Sequence, residues 1–528
     1  MTESPTAAPT LRSGSLGTAD IAFFVVSAAA PLTVMAGVAP LALLIGGIGA
    51  PAGYLAAGIT LAVFAVGFTA MSRHVRNAGG FYAYITRGLG RPAGFGAALL
   101  ALLGYLGMNI GVYGLLGTAT HDTVKALTGY DVPWLLPALL GLVVIWYGGF
   151  RSIDFGAKVL GVLLLAETGI LALLAAAVLL KGGAHGLSLQ AFAPGNVLTG
   201  GMPGVLAMAF AAFTGFESTV IYRREARNPD RTVPRATYLA VAFLGLFYAF
   251  VVWTVIQAYG DADVVAAAAA DPGGLFFTAI DQYVGGWAAD LMHVLIVTSI
   301  LASLLAFHNA TSRYGLALAE EGLLPRALGR IHARHRSPYV AGVAQTVLGL
   351  LVVLAFAAAG ADPYTQLLLW VNTPGMLSLV ALQLLAAIAV PCWFRRRSHG
   401  EGVLRTVVAP VVAALLLAAA LWLVVDHIEL LTGASATVNR VLIAIVPAVF
   451  VAGVLYALRT RARRPDVYAA FAAEPAEEPS GADAPVADTS DVNTSDADTS
   501  ARQPAGVDVS ARQPAGVDAS DGAPVTVV

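Results

Sequence analysis

Two carboxylates stand inside apolar runs. Glu167 lies eleven residues into the run 156–180, and Glu217 lies in the run 203–222, directly after Thr214-Gly215-Phe216. A charge at such depth is costly and is normally kept for function. Without a cation partner a carboxyl group favours its neutral form, so it can bind and release a proton as its surroundings change. Glu167 reads as the proton carrier, or as a direct partner for a ligand ammonium. Glu217 reads as a group that shapes the site, steadies a broken helix by hydrogen bonding and titrates with Glu167.

Backbone groups are the second source of chemistry. The first apolar run contains Ser27-Ala28-Ala29-Ala30-Pro31-Leu32-Thr33, where the proline removes a backbone donor mid-helix. Five runs later, Phe210-Ala211-Ala212-Phe213-Thr214-Gly215 places a glycine at the matching position. Helices interrupted at matching places in two five-helix halves are how inverted-repeat transporters build a site near the bilayer midplane. The amino end of one half-helix offers N–H groups to a carboxylate, and the carboxyl end of another offers carbonyls to an ammonium. A zwitterion suits such a pair best. Each feature alone has a plainer role: Pro31 kinks a packing helix, and Gly215 permits a close contact. Asn109, polar at depth, either touches a ligand or makes an interhelical hydrogen bond.

The elements that position these residues follow from composition. The chain has 528 residues, 58% hydrophobic and 12% charged, with mean hydropathy +0.75, which marks a polytopic membrane protein. Apolar runs recur at 21–46, 51–72, 93–119, 133–149, 156–180, 203–222, 236–258, 287–312, 338–359, 365–392, 406–426 and 440–458. Each is long enough to cross about 30 Å of hydrocarbon as helix, so the expected fold is all-α with twelve transmembrane helices. The run 93–119 places Gly104, Gly107, Gly111, Gly114 and Gly117 on one stripe, a packing face. The single Cys392 excludes an internal disulfide and a cysteine-based metal cluster. With no HExxH helix, P-loop or GxSxG elbow, the sequence points to neither enzyme, cofactor, metal nor nucleic-acid partner. His293 and His308 are too far apart to share a metal and read as packing residues. Thr298, Ser299 and Ser303 are hydroxyls that either bond their own helix or help hold a cation.

Charge sets the orientation. The amino terminus, alternate loops and the segment after the twelfth run hold 25 of the 30 Lys and Arg residues, so both termini are expected in the cytoplasm. Residues 1–19 read as a disordered arm, 20–395 as a core of ten helices, and 396–472 as helices 11 and 12 with a juxtamembrane segment. Residues 473–528 carry a net charge of −9 and repeat SARQPAGVD; this segment reads as a disordered acidic tail.

Three motifs carry a family resemblance. AGGFYAYITRGLGRPAGF (Ala78 to Phe95), FAAFTGFE followed by EARNPDRTVPRA (Phe210 to Ala236), and ASLLAFHNATSRYGLALAEEGLLPRAL (Ala302 to Leu328) resemble motifs of the amino acid–polyamine–organocation superfamily. The resemblance implies a leucine-transporter-like core, with spans 1–5 and 6–10 as inverted repeats, in the cytoplasmic membrane. It implies alternating access for amino acids or related amines, by proton symport or exchange; a non-transporting amino-acid sensor is the alternative. Ala28, Ala29, Ala30, Pro31, Leu32 and Thr33 would supply the carboxylate-binding backbone. Phe210, Ala211, Phe213, Thr214 and Gly215 would supply carbonyls and an aromatic gate at Phe210 or Phe213. The chain departs from the usual pattern in having Ala-Ala-Ala-Pro for a glycine-rich first break and Ala211 for a second bulky aromatic. It also has Glu167 near the place where many relatives carry a lysine.

Overall fold

The computed structural model describes residues 16–75, 80–151, 157–224, 226–397 and 400–473. The amino-terminal arm up to residue 15 and the acidic tail from residue 474 lie outside the described residues.

Lipid offers backbone groups no hydrogen-bond partner, so long apolar segments satisfy themselves as helix. The first half contains α1 (Thr18–Ala29), α2 (Pro31–Gly37), α3 (Ala39–Gly46), α4 (Ala50–Ser72), α5 (Phe81–Leu89), α6 (Arg91–Thr128), α7 (Leu135–Phe150) and α8 (Ala157–Lys181). After a short α9 (Pro194–Val197) come α10 (Met202–Ala212), a 3-10 helix (Phe216–Arg224), α11 (Pro229–Tyr259), α12 (Val264–Ala270), α13 (Leu275–Tyr283) and α14 (Gly286–Glu320). The last part contains α15 (Tyr339–Ala358), α16 (Leu369–Phe394), α17 (Ala409–Asp426), α18 (Ile428–Thr432), α19 (Ala436–Arg463) and α20 (Pro465–Ala470). The described residues form no strand; one isolated bridge joins Leu16 to Ala226.

Eleven segments among the described residues are long and apolar enough to cross a membrane, and α7 is a shorter apolar helix of 16 residues. At 1.5 Å per residue α7 covers about 24 Å, short of the usual hydrocarbon thickness. Several helices outrun the apolar runs that announce them. For example, α6 continues to Thr128 and α14 to Glu320, because a helix that leaves the hydrocarbon can continue into polar surroundings. Large apolar side chains such as Ile59, Leu140, Leu165, Leu246, Leu351 and Leu415 are exposed on the outer surface, as a lipid-facing belt requires.

Small residues decide where helices touch. The glycine stripe of α6 faces mainly the segment leading into and forming α16: a Cβ on Gly107 would stand 3.0 Å from the Val371 carbonyl oxygen and 3.1 Å from the Gly375 Cα. The expected packing face is thus a crossing with α16, while Gly117 meets the Trp134 backbone instead. Gly58 and Gly245 make a second close crossing, between α4 and α11. Polar residues tie the loops: Glu401 accepts from Arg73 at 2.8 Å and from Arg405 at 3.2 Å. Burial pushes the Glu401 carboxyl up, but these two guanidinium groups outweigh it and hold it below the ordinary carboxylate range.

Candidate functional site

Span 1 is broken where its sequence changes from alanine to proline. Ala30 ends α1 in the left-handed region, at φ 46° and ψ 74°, and α2 restarts at Pro31. For an alanine this geometry costs about 1–2 kcal/mol, which packing must offset. The restart leaves the first N–H groups of α2 without partners in their own helix. One of them, on Leu32, faces the carboxylate of Glu167 from α8.

Glu167 is buried, and the hydroxyl of Ser299 on α14 donates to its Oε2 at 2.8 Å. Ser299 Oγ also lies 2.7 Å from Thr33 Oγ1. Three segments distant in sequence therefore meet in one hydrogen-bonded chain, Thr33–Ser299–Glu167. Thr298 makes no such contact; it donates to its own helix, at the Leu295 carbonyl.

Span 6 breaks at the expected place. α10 ends at Ala212, and Gly215 takes φ 108° before the 3-10 helix begins. That conformation is strained for any residue with a Cβ, so glycine is required there. Glu217 caps the break from inside: its Oε2 accepts the Gly215 N–H at 3.0 Å, and its Oε1 accepts the Tyr105 hydroxyl of α6 at 2.7 Å. Among the described residues, neither Glu167 nor Glu217 forms an ion pair with a basic side chain.

A cavity of about 90 Å³ lies beside the two breaks. Ala29 and Thr33 border it from span 1, and Ala211, Ala212 and Thr214 from span 6. Met108 and Val112 of α6, Ser303 and Phe307 of α14, and Asn372 and Thr373 of α16 complete much of the wall. The lining holds no Asp, Glu, Lys, Arg or His, so its only side-chain polarity comes from hydroxyls and one amide.

The expected site residues divide accordingly. Ala29, Thr33, Ala211 and Thr214 line the cavity; Ala30, Pro31, Leu32 and Gly215 shape the breaks around it. Ala28 lies in the last turn of α1. Asn109 makes the interhelical bond, its amide donating to the Leu304 carbonyl at 3.1 Å, while its neighbour Met108 lines the cavity. Neither Phe210 nor Phe213 lines it. Phe213 is fully buried, packed toward Gly58, Gly245 and Tyr248. The aromatic ring at the cavity wall is Phe307, which sequence reasoning missed although it stands within the third family motif. His293 stacks on Phe277 and His308 lies against Gly149 and Gly342, both in packing positions. No group of three or more metal-ligating side chains occurs among the described residues.

A many-spanning helical protein with a largely apolar cavity between two broken helices has room for a small molecule within the membrane. The chain belongs to the amino acid permease family, whose model matches residues 16–468. It is 32% identical over 162 residues to an uncharacterized transporter of Mycobacterium tuberculosis, covering 31% of this chain and 34% of that one. It is 28% identical over 208 residues to an L-methionine/branched-chain amino acid exporter of Escherichia coli, covering 38% and 47%. A cadaverine/lysine antiporter of Escherichia coli is 28% identical over 152 residues, covering 28% and 33%. These alignments span about a third to a half of the length of the relatives. The family and the named relatives are permeases and transporters, not enzymes.

Proposed function

We propose that the protein is a secondary active transporter of neutral, aliphatic amino acids that works by alternating access and is coupled to protons through Glu167. The observation that carries this reading is the meeting of both helix breaks at a cavity without charged side chains. A zwitterion's own charges are answered by half-helix ends, and an aliphatic side chain by Met108, Val112 and Phe307. A diamine or lysine carries a further ammonium, for which the cavity lining offers no carboxylate. Glu167 stands just outside the lining, within reach of the α2 amino end, where its charge state sets whether that end is free for a substrate carboxylate. In this reading spans 1–5 and 6–10 are the two inverted repeats, both termini face the cytoplasm, and Glu217 holds the span 6 break in shape through Tyr105 and Gly215.

Purified protein in liposomes tests this directly. Under an imposed pH gradient, labelled alanine, valine, leucine or methionine is expected to accumulate, whereas lysine and cadaverine are not. Binding of an amino acid without accumulation under any ion gradient would instead identify a sensor.

A further inference from the structure

The carboxyl end of α2 is held by a residue outside the cavity lining. Tyr364 is buried, and its hydroxyl donates at 2.8 Å to the carbonyl of Gly37, the last residue of α2. The last carbonyls of a helix find no donor within it, so this bond supplies one from elsewhere in the chain. Tyr364 is itself fixed independently of α2. It stands in the π-helical turn Pro363–Leu368 that leads into α16, where Asp362 accepts its N–H at 3.0 Å and the Thr365 N–H at 2.6 Å. Gly114 of α6 lets that turn sit close, because a Cβ there would overlap the Pro363 carbonyl oxygen. The same turn ends at Leu368, in the wall of the cavity.

The segment that Tyr364 holds is bounded by hinges. α2 has seven residues, with non-helical backbone on both sides: Ala30 at φ 46° and ψ 74°, and Val38 at φ −126° and ψ −37° before α3 restarts. Breaks at both ends let a segment turn as a unit without bending a helix, as hinges at element ends do. α2 is also a wall of the cavity, to which Thr33, Val34 and the following Val38 contribute. Its amino end is tied to Glu167 and Ser299, and its carboxyl end to Tyr364. We propose that Tyr364 is a latch: its hydroxyl holds the carboxyl end of α2 over the cavity, and the cavity opens on the side away from the amino terminus when that bond is released. This role rests on the proposed transport function, because a carrier must open such a wall in every cycle. On opening, water replaces both partners of the bond, so the closed form is favoured by about fivefold, the net worth of one hydrogen bond.

Thiol labelling of the full chain in membrane vesicles tests the latch without any substrate. In a Cys392→Ser background, Val112→Cys places a reporter on α6 in the cavity wall, and a membrane-impermeant maleimide is applied from either face of the membrane. Tyr364→Phe keeps the ring and removes only the hydroxyl. It should speed labelling about fivefold from the face toward which α2 runs, and should not speed it from the other. Tyr259→Phe removes a similar bond, to the Leu275 carbonyl at 2.7 Å, away from α2, and should label as the parent does. Unchanged labelling in Tyr364→Phe overturns the latch. So does equal acceleration from both faces, or by Tyr259→Phe as well, since either would mean general loosening. Uptake of labelled amino acids by the same vesicles is scored separately: one-sided acceleration without uptake of any amino acid would keep Tyr364 as the latch of a binding cavity and refute the transport function instead.

Discussion

Glu167→Gln separates the two roles a buried carboxylate can have. Ser299 donates to Glu167 at 2.8 Å, and the Leu32 N–H faces the same carboxylate. A glutamine can accept from Leu32 through its carbonyl and donate to Ser299, whose own proton then turns to Thr33, 2.7 Å away. The network closes, so the structural cost should stay near 1 kcal/mol, the worth of one ordinary hydrogen bond. What disappears is the titratable proton. One pH unit is worth about 1.4 kcal/mol per proton, or about a tenfold concentration ratio for one proton per substrate at zero voltage. In voltage-clamped liposomes with a one-unit gradient, the unchanged protein should approach tenfold accumulation of labelled substrate, and Glu167→Gln should remain near onefold. Exchange of internal for external substrate, which needs no net proton movement, should persist in the variant. Tenfold accumulation by Glu167→Gln would refute the assignment. Loss of both accumulation and exchange would place Glu167 in direct contact with substrate.

Gly215→Ala forces a Cβ into φ 108° and should cost about 1–3 kcal/mol, visible as a lower thermal midpoint together with lost uptake. Phe307→Ala should raise KM for uptake with a modest change in midpoint, whereas Phe213→Ala, which empties a fully buried ring site, should cost about 3–5 kcal/mol of stability; the opposite pattern would support an aromatic gate on span 6. The Glu401 carboxyl is held below its ordinary value, so its contribution is full above about pH 4.3 and is lost as pH falls through the lowered value. Midpoints measured from pH 6 to pH 3 should therefore converge at the acid end for the unchanged protein and Glu401→Gln.

The breaks were legible because proline and glycine are chemically distinct from their neighbours. Pro31 has no N–H to continue a helix, and Gly215 alone in its segment tolerates the observed φ. Ala30 is set apart from Ala28 and Ala29 by the proline after it, which disfavours the helical conformation there, but that a left-handed turn and not extended backbone follows was not legible, since packing decides it. The carboxylates stood out through the cost of burying charge, but their partners did not: Ser299 lies 132 residues from Glu167, and Tyr105 lies 112 from Glu217. The cavity wall was the hardest part to read. Met108 lines it and Asn109 does not, a difference of one helical position that depends on the rotation of α6 against α14 and α16. Phe213 looked like a gate because it borders the break, yet the glycine pair at positions 58 and 245 opens a slot that takes its ring away from the cavity.

The carboxylate of Glu167 at the amino end of α2 bears on how an unloaded carrier resets. A half-helix end with no anion is electrostatically unsatisfied, and a protein with such an end must wait for new cargo before it can close and turn over. Here the protein carries its own substitute, tethered on α8 and steadied by Ser299. On the proposed reading, the empty form closes around that internal anion and reorients without a passenger. A carrier of that kind fills a compartment in one direction and need not release one molecule for each that it takes in.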